Sequence, residues 1–251
     1  MSIRLLVFAP TRRAPTETFV RANLQGLPFE IIAYFGDERP LSNPGRLAYG
    51  IAILFSKALT RLGFLQAATL PGSLVALLLI RFHQPDVLMA EFGFHGVRVM
   101  EAAAWSGIPL VVHFRGSDAS AQNRLGLLKQ RYRRLMAIVS GVIVKSQPMR
   151  RTLLALGASD DHLIVSPSGA DQRLFYGADP GCSSPLFVAV GRFVAKKGPL
   201  QTIHAFAAMR QSLPKAEALT TKLVMVGDGP LLVRARELVE ELGLENVVSL
   251  P

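Results

Sequence analysis

Residues 186–206 read LFVAVGRFVAKKGPLQTIHAF. An apolar run of strand length, Leu186–Val190, leads into a loop carrying Arg192, Lys196 and Lys197, and a segment of helical period follows over Gly198–Gln211. A buried strand feeding a helix in this way is the repeating unit of a parallel α/β sheet, where ligands sit beyond the carboxyl ends of the strands. Gly191 lets the backbone leave the strand without a side chain. Arg192 offers a planar fork for phosphate oxygens, and Lys197 stands at the mouth of the helix beside Gly198. Two cations and a helix N-terminus converging on one point describe a diphosphate site. A surface loop of ordinary lysines and arginines explains any one of these residues, but not the whole string placed directly after a strand.

The alternation continues in both directions. Downstream come a strand at Lys222–Val226, a helix at Pro230–Leu242 and a strand at Asn246–Leu250. Upstream, strands are expected at Ile3–Phe8, Glu30–Tyr34, Asp86–Ala90, Leu110–Phe114, Gly141–Val144 and Leu163–Ser166. Helices are expected between them at Thr16–Gln25, Gly45–Leu62, Ser73–Arg81, His95–Trp105, Leu125–Ile138 and Gln147–Leu156, the last closed by Gly157 as a left-handed cap. Between Pro167 and Pro185, three prolines and three glycines without apolar period read as a linker. The expected organisation is an N-terminal domain over 1–168, a linker over 169–185 and a second domain from 186 to 251. Some two and a half βα units do not close a doubly wound domain, so the second domain reads as incomplete in this chain.

Half of the 251 residues are apolar, enough for a substantial core. The single cysteine, Cys182, excludes an intramolecular disulfide, and no Cys/His cluster offers metal-ligand spacing, so neither a metal nor a resident cofactor is expected. The lone cysteine favours a reducing, cytoplasmic setting, and Leu5–Ala9, too short for a secretory core, reads as a first buried strand. Leu62–Ile80 carries no charge and is about long enough to span a bilayer, yet Gln66, Thr69 and Pro71-Gly72 interrupt it, and two apolar helices meeting at a turn are expected. The net charge of +10 is uneven: residues 1–170 hold 19 Lys and Arg against 10 acids, residues 171–251 hold 9 against 8. No acid lies between Asp118 and Asp160, where Arg124, Lys129, Arg131, Arg133, Arg134, Lys145, Arg150 and Arg151 accumulate. That tract suits an anionic partner or is a solvated basic face. Nucleic acid is disfavoured, because Tyr132 alone interleaves those cations.

A second loop, Gly227-Asp228-Gly229-Pro230, follows the strand Lys222–Val226. Its glycines give a tight turn, Asp228 is placed to cap and Pro230 fits a first helical position. It fails as a dinucleotide fingerprint, since Leu232 stands where the third glycine belongs. Taken together, Phe187–Gly198 with Ile203, Ala205 and Phe206, and Val226–Leu231 with Glu241-Leu242-Gly243-Leu244, resemble the donor-binding domain of family 4 (group 1) retaining glycosyltransferases of GT-B fold. Ser166-Pro167-Ser168-Gly169-Ala170-Asp171, with Phe175 beyond it, resembles the family's interdomain segment. Thr16-Glu17-Thr18-Phe19-Val20 is similar to the first helix of members that make exopolysaccharides.

The resemblance implies two Rossmann-like domains facing a cleft. It implies transfer of a hexose, with retention, from a nucleotide diphosphate sugar to a saccharide or lipid-linked saccharide acceptor in cell-surface polysaccharide synthesis. Arg192 and Lys197 would act as catalytic groups by neutralising the departing diphosphate, and Gly191, Gly198, Gly227, Asp228 and Gly229 would complete the donor site. On the acceptor side it points to Glu91, Gly93, His113, Arg115 and Asp118. The family often has histidines where Glu91 and Arg115 stand. Arg115 cannot accept a proton and would bind a carboxylate or phosphate; His113 reads equally as a core or an active residue; Asp118 contacts acceptor hydroxyls or caps a helix. His95 reads as a helix-start residue. The family's pair of glutamates, which holds the donor sugar, has no counterpart in this chain. A non-catalytic sugar-nucleotide-binding relative or fragment is therefore the alternative. The apolar segments at 46–82 and the basic tract suggest contact with an anionic membrane, at its inner face.

Overall fold

A computed structural model describes residues 2–11, 18–36, 44–116, 118, 122–170, 172–177 and 179–251. The chain forms two compact units, Met1–Gly169 and Ala170–Pro251.

The first unit is built on a parallel sheet of six strands: β1 (Arg4–Ala9), β2 (Glu30–Phe35), β3 (Val87–Glu91), β4 (Leu110–His113), β5 (Gly141–Val144) and β6 (Leu163–Val165). They lie in the order β2-β1-β3-β4-β5-β6. The connections carry α1 (Thr18–Gly26), α2 (Pro44–Arg61), α3 (Leu70–His83), α4 (Gly93–Ser106), α5 (Gln122–Met136) and α6 (Gln147–Leu154). Crossovers of this kind force parallel pairing and cover the sheet, so its central strands are apolar on both faces. Leu6, Phe8, Leu88, Ala90, Leu110 and Val112 pack with Tyr49, Met100 and Leu135 in the main core, while Leu5, Val7 and Met89 face the other way. The order reverses between β1 and β3, which makes the carboxyl ends of β1, β3 and β4 the place for a ligand.

The strand and helix positions follow the apolar periodicity to within a few residues at most ends. Leu62–Ile80 differs. Helix α2 stops at Arg61, the chain turns through Gly63 at φ +86° and a short 3-10 turn at Ala67–Thr69, and α3 then runs unbroken from Leu70. Pro71 lies in the first turn of α3, where a missing N–H costs nothing. Gly72 lets α4 approach, since a Cβ there would stand 2.8 Å from the Arg98 carbonyl oxygen. The two apolar helices expected here are present and meet at a turn, but the turn ends before the Pro-Gly pair, which opens the second helix. None of the described helices is long and apolar enough to cross a membrane.

The second unit holds a smaller parallel sheet, β7 (Leu186–Val190), β8 (Lys222–Val226) and β9 (Val248–Ser249), in the order β7-β8-β9. Helices α7 (Pro199–Ser212) and α9 (Leu232–Glu241) cover the face that carries Leu223 and Met225, closing a core with Phe193, Ile203, Phe206 and Leu238. A short helix, α8 (Lys215–Thr220), precedes β8 and has no apolar period by which to read it. The opposite face of β7 leaves Leu186, Val188 and Val190 exposed. Ahead of β7, and within the second unit, Pro180–Cys182 forms a 3-10 turn. Thr16 and Glu17 of the N-terminal motif and Asp171 of the interdomain motif lie outside the described residues.

Candidate functional site

The cationic loop of the second unit is held by the second glycine loop. Gly191 N–H donates to the Val226 carbonyl at 3.0 Å, Phe193 N–H to the Asp228 carbonyl at 2.9 Å, and Leu231 N–H to the Phe193 carbonyl at 3.0 Å. Two glycines make this contact possible. A Cβ on Gly227, at φ +154°, would fall 1.9 Å from the Gly191 carbonyl oxygen, and one on Gly229, at φ +152°, would fall 2.5 Å from that of Phe193. The Phe193 side chain is buried and anchors the loop in the core. The chain then makes a 3-10 turn at Ala195–Lys197, passes Gly198 at φ +62° and enters α7 at Pro199. Arg192 and Lys197 consequently line one small cavity of about 70 Å³, with Gly191 and Thr202. Asp228 does not cap α9: its Oδ1 accepts the Gly229 N–H at 2.7 Å, and Leu231 occupies the cap position without a side-chain bond. Pro230 lies in the preceding turn.

In the first unit the structure brings Glu91, Gly93, His113, Arg115 and Asp118 together at the carboxyl ends of β3 and β4. Glu91 and His113 are register partners. Arg115 does bind a carboxylate, that of Glu91: Nε and Nη2 donate to its two oxygens at 2.8 Å each, and both side chains are buried. The Arg115 guanidinium also lies over the Phe19 ring, 4.8 Å from its centroid. The histidine-to-glutamate and histidine-to-arginine departures therefore compensate one another as a bidentate pair.

Asp118 gathers the loops. Its carboxylate accepts backbone N–H groups of Gly93 at 2.9 Å, Gly116 at 2.8 Å and Arg115 at 3.0 Å. Burial pushes both carboxyls up, opposed at Glu91 by Arg115 and at Asp118 by these N–H groups. Gly93 has no room for a Cβ, which would stand 2.2 Å from the Phe114 ring. His113 is buried, both ring nitrogens lack a hydrogen-bond partner, and Glu91 is 3.7 Å away. Burial, then Arg115 and Lys145, lowers its pKa to about 3, so the ring is neutral. These side chains face one another, as a buried frame under the strand ends.

The basic tract is not one face. Arg134 pairs with Glu101 at 2.8 Å and Arg150 pairs with Asp160, while Arg131 lines a cavity with Lys57, Arg98 and the buried His95 and Ser56. Sequence reading passes over Ser56, Lys57 and Arg98. The available signal was helical spacing, which puts Ser56 and Thr60 on one side of α2 and His95 and Arg98 on one side of α4. Among the described residues, no group of His, Cys, Asp and Glu is arranged to hold a metal.

The architecture is that of the GT-B glycosyltransferases. HepE of Anabaena, solved with UDP and glucose, matches with a TM-score of 0.61 and 16% identity over 99% of this chain and 68% of its own. The lipopolysaccharide outer core galactosyltransferase WaaB matches with a TM-score of 0.65 and 13% identity over 99% of this chain and 67% of its own. The chain belongs to glycosyltransferase family 4, whose model matches residues 9–174; the model for glycosyl transferases group 1 matches residues 182–251. WcaL of Salmonella typhimurium, assigned to colanic acid biosynthesis as a glycosyltransferase, is 28% identical over 172 residues, 66% of this chain; the match spans 41% of WcaL.

Proposed function

We propose that this protein transfers a hexose from a nucleotide diphosphate sugar to a saccharide or lipid-linked saccharide, with retention, in cell-surface polysaccharide synthesis. The observation that carries the reading is the cavity where Arg192 and Lys197 meet the entrance of α7, on a loop fixed by Gly227 and Gly229. As the bond between sugar and diphosphate breaks, negative charge grows on the leaving phosphate. Preorganised cations at that point stabilise the transition state more than the ground state. Arg192 and Lys197 supply that charge themselves, so the scheme calls for no metal. The UDP held by HepE and the colanic acid assignment of WcaL support the donor and pathway classes.

A panel of nucleoside diphosphates and nucleotide sugars, read by thermal shift, tests this. Binding at about 100 times Kd stabilises by about 2.7 kcal/mol, a shift of several degrees. The shift should vanish in an Arg192→Ala, Lys197→Ala variant; an equal shift in parent and variant rules the site out. Release of nucleoside diphosphate with an acceptor extract separates an enzyme from a sugar-nucleotide-binding relative.

Contact with an anionic membrane is part of the same proposal. On α3, Leu70, Leu74, Leu78 and Phe82 are all exposed, and on α2 Ile51, Leu54 and Phe55 are exposed as well. Residues four apart share one helix face, so the α3 set is a continuous apolar stripe on a helix apolar on its buried side too. Arg61 and Arg81 lie at the ends of these helices, placed to meet lipid phosphates.

A further inference from the structure

A second cationic cavity, of about 400 Å³, lies in the first unit between α2, α4 and α5 and the chain leaving β1. Ser56, Lys57, His95, Arg98 and Arg131 supply its polar wall, and Ile53, Phe94 and Leu128 part of its apolar one. Among its described lining residues there are three cations and no acid.

Two polar atoms lack partners. Ser56 is 2% exposed and its Oγ has no hydrogen-bond partner; Arg131 Nε is buried with none. Leaving such donors unsatisfied is costly, and native interiors rarely do so without a ligand or water to receive them. The histidine in the wall explains how one cation is aimed. A guanidinium only donates, so Arg98 Nη1, 3.2 Å from His95 Nε2, makes that nitrogen the acceptor and leaves the proton on Nδ1 for Tyr49 Oη at 2.9 Å. Arg98 is further held over the Phe94 ring, 5.4 Å from its centroid. Burial, with Arg98 and Lys57 nearby, keeps His95 well below its usual pKa, so it stays an acceptor.

From the cavity, its three cations and the two unpartnered donors, we infer that this is a binding site for a phosphoryl oxyanion, held by Arg131, Ser56, Arg98 and Lys57. A phosphoryl group offers three acceptor oxygens, where a carboxylate offers two, to a hydroxyl, an ammonium and two guanidinium forks. Resting on the glycosyltransferase reading above, the ligand is the phosphorylated end of the acceptor, with the apolar wall receiving what adjoins it. The phosphoryl group belongs either to a soluble phosphate ester or to a lipid headgroup.

The test uses the whole chain carrying Arg192→Ala and Lys197→Ala, which removes the donor cations, and titrates it calorimetrically with inorganic pyrophosphate and with glucuronate. Vesicles of phosphatidylcholine with and without phosphatidic acid form a second arm. Pyrophosphate should bind, glucuronate more weakly. Arg131→Gln should weaken the phosphoryl ligand about ten-fold or more, and the milder Ser56→Ala about three-fold. Phosphate-dependent binding seen only with phosphatidic acid, and lost in Arg131→Gln, assigns the site to a lipid headgroup. Absence of binding in both arms, binding unchanged in both variants while their melting points match the parent, or glucuronate binding as tightly, overturns the inference. Nucleoside diphosphate binding by Arg131→Gln with Arg192 and Lys197 intact reports the donor site separately, so either reading can fail without the other.

Discussion

His113 shows what a single buried residue does to the whole unit. Its two ring nitrogens have no partners and its pKa falls from 6.5 to about 3, so the folded protein keeps it neutral where an unfolded chain takes up a proton. The stability from this residue is complete above about pH 6.5 and is lost as pH falls toward about 3, by about 1.4 kcal/mol per pH unit. His113→Leu should therefore flatten the pH dependence of the urea midpoint by about one proton over that window. Parallel curves for variant and parent would place His113 in contact with a proton acceptor instead. The neighbouring Glu91–Arg115 pair was half legible: an acid and a cation at two strand ends are visible in the sequence. That they satisfy each other follows only from the adjacency of β3 and β4, which puts Glu91 beside His113 and Arg115 just beyond it.

At the scale of elements, α3 sets two demands against one another. Its inner side closes on α4, with Gly72 and Ser73 against the Arg98 carbonyl, Ser73 Oγ donating at 2.9 Å. The outer side exposes Leu74, Leu78 and Phe82 to solvent. Replacing those three by Gln removes no core contact and should change stability by less than about 1 kcal/mol. The same change should abolish sedimentation with anionic vesicles at low salt. Undiminished sedimentation would assign membrane contact to another surface. Apolar period alone identifies α3 as a helix but not which side is covered, because a helix apolar all round carries no moment to orient it.

At the scale of the molecule, the two units have separate cores, and the second is smaller and leaves the Leu186, Val188 and Val190 face of its sheet open. A small core with one sheet face in water has less buried area to set against chain entropy. Trp105, the single tryptophan, belongs to the first unit, so its fluorescence reports that unit alone. In urea, far-ultraviolet circular dichroism should begin to fall at lower denaturant than Trp105 fluorescence. Coincident transitions would show one cooperative body instead.

The sequence by itself determined the parallel α/β class, the succession of strands and helices in both units apart from α8, and the cationic, glycine-flanked make-up of the loop from Gly191 to Gly198, because strand, turn and helix are set by local period and by residues that permit a turn. It did not contain the partner of each polar group. The interlock of Gly227 with Gly191, the pairing of Glu91 with Arg115 and the convergence of Ser56, Arg98 and Arg131 on one cavity join residues far apart in the chain. Those contacts depend on the order of strands in a sheet and the packing of helices over it, so only the tertiary structure decided which polar groups pair with one another and which side chains meet at a cavity.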